Sequence, residues 1–168
     1  MRGYTLVELL VAMLAGVVIL GGIVLVYVSA AGSGRAEIAR NERMGDLYLA
    51  SQIMQGELRT AQGICWNATN AELIYQPLDS TSVLPTGCDS VASANGAFRL
   101  DAAQNRICWD RPSLAGGCQE LIRDLDGANG LQVAQSASTW TISLQGRYIG
   151  KDRQPRTISL SFKVRRRN

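Results

Sequence analysis

No charged residue occurs from Leu9 through Gly34, a stretch built largely of Leu, Val, Ile, Ala and Gly, and this run limits what the chain can fold into more than any other feature. A bilayer core takes about 20 apolar residues as a helix, so the run is long enough to span one with some tilt. With 168 residues, 46% of them apolar, and a net charge of +3, there is material for one modest domain beside that segment and hardly for two independent cores. From Arg35 onward the composition is that of a soluble head: mixed charge, loops rich in Ser, Asn and Gly, and few aromatics.

Three readings of the run compete. For a secretory signal peptide, Val28-Ser29-Ala30 offers a small-residue cleavage site and Arg2 a positive start, but the apolar region exceeds the usual span of about 7 to 15 residues. Glu8, near its entrance, also speaks against removal by signal peptidase. An ordinary membrane anchor explains the length but gives no reason for that acid. A carboxylate at such a depth costs a few kcal/mol unless it finds a partner or reaches the interface, which makes an intramembrane acid a functional residue by default.

The residues at the entrance favour the third reading. Gly3 followed by Tyr4-Thr5-Leu6-Val7-Glu8-Leu9-Leu10-Val11-Ala12-Met13 resembles the class III signal of type IV pilins and type II secretion pseudopilins. The resemblance implies that a prepilin peptidase and N-methyltransferase cuts between Gly3 and Tyr4 and methylates Tyr4. It also implies that Glu8 is the assembly glutamate, and that the partners are other minor and major pilins in a filament. The chemistry is coherent: processing leaves a positive amine at Tyr4, and an incoming subunit at a suitable axial step sets that amine beside a neighbour's Glu8. Inside a low-dielectric bundle, two charges that are each expensive alone become tolerable as a pair. Tyr4 stands where the family usually has phenylalanine, and the leader is only Met1-Arg2-Gly3, with an upstream start codon as the alternative. The proline that many major pilins carry partway along the helix is missing. Gly16 and the Gly21-Gly22 pair either loosen the helix in its place, at about 1 kcal/mol each relative to alanine, or let neighbouring helices approach closely.

Beyond Gly34 the pattern turns charged, with Arg35, Glu37, Arg40, Glu42 and Arg43 read as good helix formers on a solvated face. Met44, Leu47, Ser51, Met54, Leu58 and Ala61 form one stripe at alternating three and four spacing, the face expected to pack on a sheet. A helix from about Tyr4 to Gln62 runs close to 90 Å at the usual rise. Gly63 is its expected stop.

After that point the period changes. Phe98 and Leu100, the turn Ala102-Ala103-Gln104-Asn105, then Ile107 and Trp109 read as a hairpin. Trp140, Ile142 and Leu144, a loop through Lys151-Asp152-Arg153-Gln154-Pro155, then Ile158, Leu160, Phe162 and Val164 read as an antiparallel pair with one buried face. Glu72 to Gln76 adds a further strand, and Leu78 to Gly96 is loop. The expected organisation is a leader at 1–3, a membrane-spanning assembly half at 4–34, an amphipathic half at 35–62 and a globular head at 63–168. The fold class is α+β and pilin-like: a long N-terminal helix packed on an antiparallel β-sheet head with disulfide-tethered loops. The segment Arg43 to Arg59 and the ending Ser161-Phe162-Lys163-Val164-Arg165-Arg166-Arg167-Asn168 are similar to those of the PilW group of minor pilins and the J-type minor pseudopilins. That likeness implies a minor subunit that primes assembly and sits at or near a filament tip. It would stand in the inner membrane with its head in the periplasm before assembly, and in a pilus outside the cell afterwards. A minor pseudopilin of type II secretion and a single-span binding domain that never polymerises are the alternatives.

All four cysteines, Cys65, Cys88, Cys108 and Cys118, lie beyond the apolar run, which suggests disulfides made in an oxidising compartment. Of three possible pairings, Cys65 with Cys88 and Cys108 with Cys118 are favoured because each closes a local loop. Free structural thiols are the lesser alternative, and a metal site is weaker still with no histidine and no C-x-x-C. The basic ending Lys163 to Arg167 is read as a solvated end, with nucleic acid the lesser alternative. Asp124, Asp126 and Asn129 around Gly127 and Gly130 are read as a polar turn, since the spacing does not fit a calcium-binding EF-hand loop. The sequon Asn67-Ala68-Thr69 is set aside as a chance match. Without histidine there is no Ser-His-Asp or Cys-His arrangement, and no phosphate-cradling glycine loop occurs. The expectation is a non-enzyme without a cofactor, itself the substrate of processing enzymes.

Overall fold

The structure, a computed structural model, describes residues 5–81, 83–84, 87–88, 95–111 and 117–165. Among the described residues one α-helix, α1, runs from Leu6 to Thr60. Its 55 residues extend about 80 Å at the usual rise. Thr5 caps it in extended conformation, and no proline interrupts it. Gly16, Gly21 and Gly22 lie inside one continuous helix, with open space where a side chain would project.

The helix ends before the expected glycine. The Thr60 hydroxyl donates to the Gly56 and Glu57 carbonyls at 3.2 and 3.0 Å, and Ala61 turns to extended backbone. The Gln62 amide then bonds the Gln76 carbonyl, so the sheet captures the chain as the helix releases it. Gly63 opens the first strand instead of capping the helix, and its missing side chain makes room for Leu84.

Among the described residues the head holds two antiparallel sheets rather than one. The first takes β1 (Gly63–Asn67), β2 (Glu72–Gln76), β3 (Gly96–Asp101), β4 (Arg106–Asp110) and β5 (Gln119–Ile122) in sequence order. The second takes β6 (Leu131–Ser136), β7 (Thr139–Ile149) and β8 (Pro155–Arg165). Both expected hairpins form in the register their alternation implies: Phe98 faces Trp109 and Leu100 faces Ile107, while Ile142 faces Phe162 and Leu144 faces Leu160. A bridge from Leu125 to Gly146 ties the segment after β5 to the middle of β7 and so joins the sheets.

One core unites the three layers. Leu47, Ala50, Met54 and Leu58 from α1 and Ala61 at its end meet Leu73, Tyr75, Phe98 and Ile107 of the first sheet and Trp140, Ile142, Leu144 and Val164 of the second. The stripe read from spacing is buried from Leu47 onward, with Ser51 included. Met44 stays half-exposed, because at that turn Arg43 is the side chain that faces the sheet. Disulfides join Cys65 to Cys88 and Cys108 to Cys118, the local pairing.

Candidate functional site

At the N-terminal entrance Thr5 and Glu8 form a capping box. The Glu8 amide donates to Thr5 Oγ1 and the Thr5 amide to Glu8 Oε2, both at 3.4 Å, with the acid in the first helical turn where the macrodipole favours it. These bonds are long against the usual 2.7 to 3.2 Å or so for N–H···O, so the carboxylate is held loosely. Glu8 is exposed, and among the described residues its carboxylate bonds Thr5. Gly3 and Tyr4, the expected processing site, lie outside the described residues, as does the leader.

From Leu6 to Val28 the large apolar side chains of α1 stand exposed, and no part of the apolar window is covered by the head. The helix is long and apolar enough to cross a membrane. Its apolar character does not stop at Gly34. On the face turned away from the sheets, Ile38 is 59% exposed, Tyr48 55%, Leu49 64% and Ile53 39%, and Gly45 and Gly56 leave open space beside them. At 1.5 Å per residue Leu49 lies about 20 Å past Gly34, beyond the reach of hydrocarbon.

Beside the apolar core, the polar contacts from this helix to the segment between the sheets centre on Arg43. Its Nε donates to the Arg147 carbonyl at 3.1 Å, its Nη1 to the Arg123 carbonyl at 3.0 Å, and its Nη2 to Asp124 Oδ2 at 2.8 Å. One guanidinium therefore ties α1 to β7 and to the segment that joins the two sheets. Gly146 permits it, since a Cβ there would stand 2.9 Å from Arg43 Cδ and 3.4 Å from Leu47 Cδ1. Sequence reasoning placed Arg43 on the solvated face. Its position one turn before Leu47 on the buried stripe was the signal that could have found it.

A second polar tie lies near the helix end. Trp109 Nε1 donates to the Tyr75 hydroxyl at 2.9 Å, and Phe98 stacks between the two rings at 5.4 and 5.9 Å. Arg111 reaches Glu57 at 3.5 Å and lies over the Trp109 ring. Burial pushes the Tyr75 hydroxyl up to about 12, with Glu57 adding to the rise, so it stays protonated across the physiological range. These groups fix the first sheet to the helix, and Glu57, Tyr75 and Arg111 line a small cleft of about 210 Å³ at that junction.

The oxygen-rich turn is already occupied by the protein. Asp124 takes Arg43, Asp126 pairs with Arg147 at 3.8 Å, and Gly127–Asn129 forms a short 3₁₀ turn. Among the described residues no three acidic, cysteine or histidine side chains gather as metal ligands would. Of the basic ending, Lys163 and Arg165 belong to β8 on exposed positions, and the last three residues lie outside the described chain. The structure thus brings the four cysteines together as two staples and keeps Glu8 apart from them, at the far end of the helix. No family model, no curated protein and no solved structure matches the chain.

Proposed function

We propose that this chain is a minor subunit of a type IV pilus, inserted by α1 in the inner membrane with its head in the periplasm and then drawn into a filament that supports motility, adhesion or DNA uptake. The observation that carries the reading is the apolar outer face of α1, which continues past the membrane segment through Tyr48, Leu49 and Ile53. An anchor has no use for exposed apolar side chains outside the bilayer, whereas a polymerising helix needs them to pack against its neighbours. The entrance motif supports the same reading. Among the described residues Glu8 is held by a loose capping box, so a neighbour's Tyr4 amine has a carboxylate to take. Orientation rests on a contest of signals. Arg35, Arg40 and Arg43 closely follow the span, and positive charge on that flank by itself favours a cytoplasmic head. The two disulfides favour the oxidising side, and they outweigh a bias set by so few charges.

The test is incorporation. Glu8→Ala is expected to insert in the membrane at the wild-type level yet fail to enter sheared filaments. Normal incorporation of the variant contradicts the reading. A strain lacking the chain that loses twitching places it in a pilus, and one that loses only exoprotein release places it in the filament of a type II secretion system.

A further inference from the structure

The β7–β8 hairpin turns back toward the membrane end of α1. Its tip, Gly150 to Gln154, is closed by the Gly150 amide on the Gln154 carbonyl at 2.9 Å and the Arg153 amide on the Gly150 carbonyl at 3.0 Å. Between this tip and the helix lies a cleft of about 310 Å³, lined by Ser33, Glu37 and Arg40 from α1 and by Lys151 and Arg156 from the hairpin. Ser33 belongs to the uncharged run itself. A hydrocarbon core of about 20 residues placed within the uncharged run from Leu9 to Gly34 ends between about Val28 and Gly34, so the turn from Ser33 to Glu37 falls at the headgroup layer, with Arg40 just beyond it. The hairpin tip therefore stands at the same level.

The charges at that level are unbalanced. Arg35, Arg40, Lys151, Arg153 and Arg156 face three acids, Glu37, Glu42 and Asp152. Arg156 is engaged by Asp152 at 3.0 Å, a pair that shapes the tip. Arg35, Arg40, Lys151 and Arg153 make no ion pair among the described residues. Lys151 and Arg153 are exposed on the turn. Long basic side chains in this position extend their charge to phosphate while their stems lie along apolar surface.

We infer that the β7–β8 tip and the facing turn of α1 form a foot that binds the headgroups of anionic phospholipids, parking the head on the bilayer before assembly. The inference rests on the membrane-spanning reading of α1. It goes beyond that reading by giving the unassembled subunit a lipid preference and a fixed head posture, both lost when it enters a filament.

Hydrogen exchange on the full chain tests it, in nanodiscs of phosphatidylcholine alone or with phosphatidylglycerol. The expected result is exchange at 149–156 slowed by about three- to tenfold in the anionic discs. Raised salt abolishes the difference, and so does Lys151→Gln with Arg153→Gln, which spares the Arg156 and Asp152 pair. Unchanged exchange across 97–110 checks that the variant is folded. Equal exchange at 149–156 in both lipids overturns the inference, as does a difference that survives in the variant. Equal protection by inorganic phosphate in neutral discs also overturns it, by assigning the cleft to a free anion. If residues 9–34 exchange freely in both discs, the membrane-spanning reading fails and the foot with it; if they are protected while the tip is indifferent to lipid, only the foot fails.

Discussion

Replacing Arg43 with alanine leaves two backbone carbonyls and Asp124 without the donor they share. The expected cost is about 1 to 2 kcal/mol, read as a lower denaturation midpoint of the head, because the bonds of one largely buried guanidinium are lost together while their acceptors, which are exposed, turn to water. Glu72 predicts a pH effect. Burial raises its carboxyl above the ordinary range, against the pull of Arg99 and with a smaller push from Asp110. The fold therefore prefers the protonated form: that contribution is fully present below the ordinary carboxylate range and is lost as pH rises through the raised value. Glu72→Gln is expected to flatten the loss of stability as pH rises above the ordinary carboxylate range and to be more stable than the parent once the parent's carboxyl is ionised. A variant whose midpoint falls with pH as steeply as the parent's contradicts this. Glu72 read from sequence only as a strand residue, since alternation says which face a side chain takes and not how little water remains there. Arg43 was misread for a related reason. A long basic side chain looks solvated in any pattern, and its three acceptors come from residues remote in sequence.

Among the elements, legibility followed the strength of the period. β7 and β8 alternate over 11 residues each, and their register was readable before the structure. β1, β5 and β6 were not foreseen. β1 is five residues with a mostly half-buried pattern, β5 is four with two exposed, and β6 loses its alternation after Val133. Such strands are held by neighbours already in place, which a local window does not contain. That is also why a head of two sheets looked like one. The staples act on this part of the fold. Each closes a short loop, with separations of 23 and 10 residues, and removing either by paired Cys→Ser substitution is expected to cost about 3 kcal/mol, slightly more for Cys65 with Cys88. Comparison of denaturation midpoints checks both the size and the order. Gly146→Ala is expected to cost about 1 to 2 kcal/mol by pushing Arg43 off β7, and a neutral result means the clamp can shift without loss.

For the whole molecule, the division of labour is one helix with two opposite faces. Inward, Leu47, Met54 and Leu58 are fully buried and hold the head. Outward, Ile38, Leu49 and Ile53 remain apolar without a partner in the single chain. Leu49→Glu is therefore expected to leave the head's stability within about 0.5 kcal/mol while lowering entry into filaments, separable by a melting curve and a filament blot. The sequence motif and the outer face are independent observations, and they meet in the claim that this subunit is processed and then polymerises. The direct measurement is the intact mass of the chain purified from membranes. The account predicts a chain that begins at Tyr4 and carries one methyl group. A chain that retains Gly3, begins at Tyr4 without the methyl group, or begins after Ala30 contradicts it.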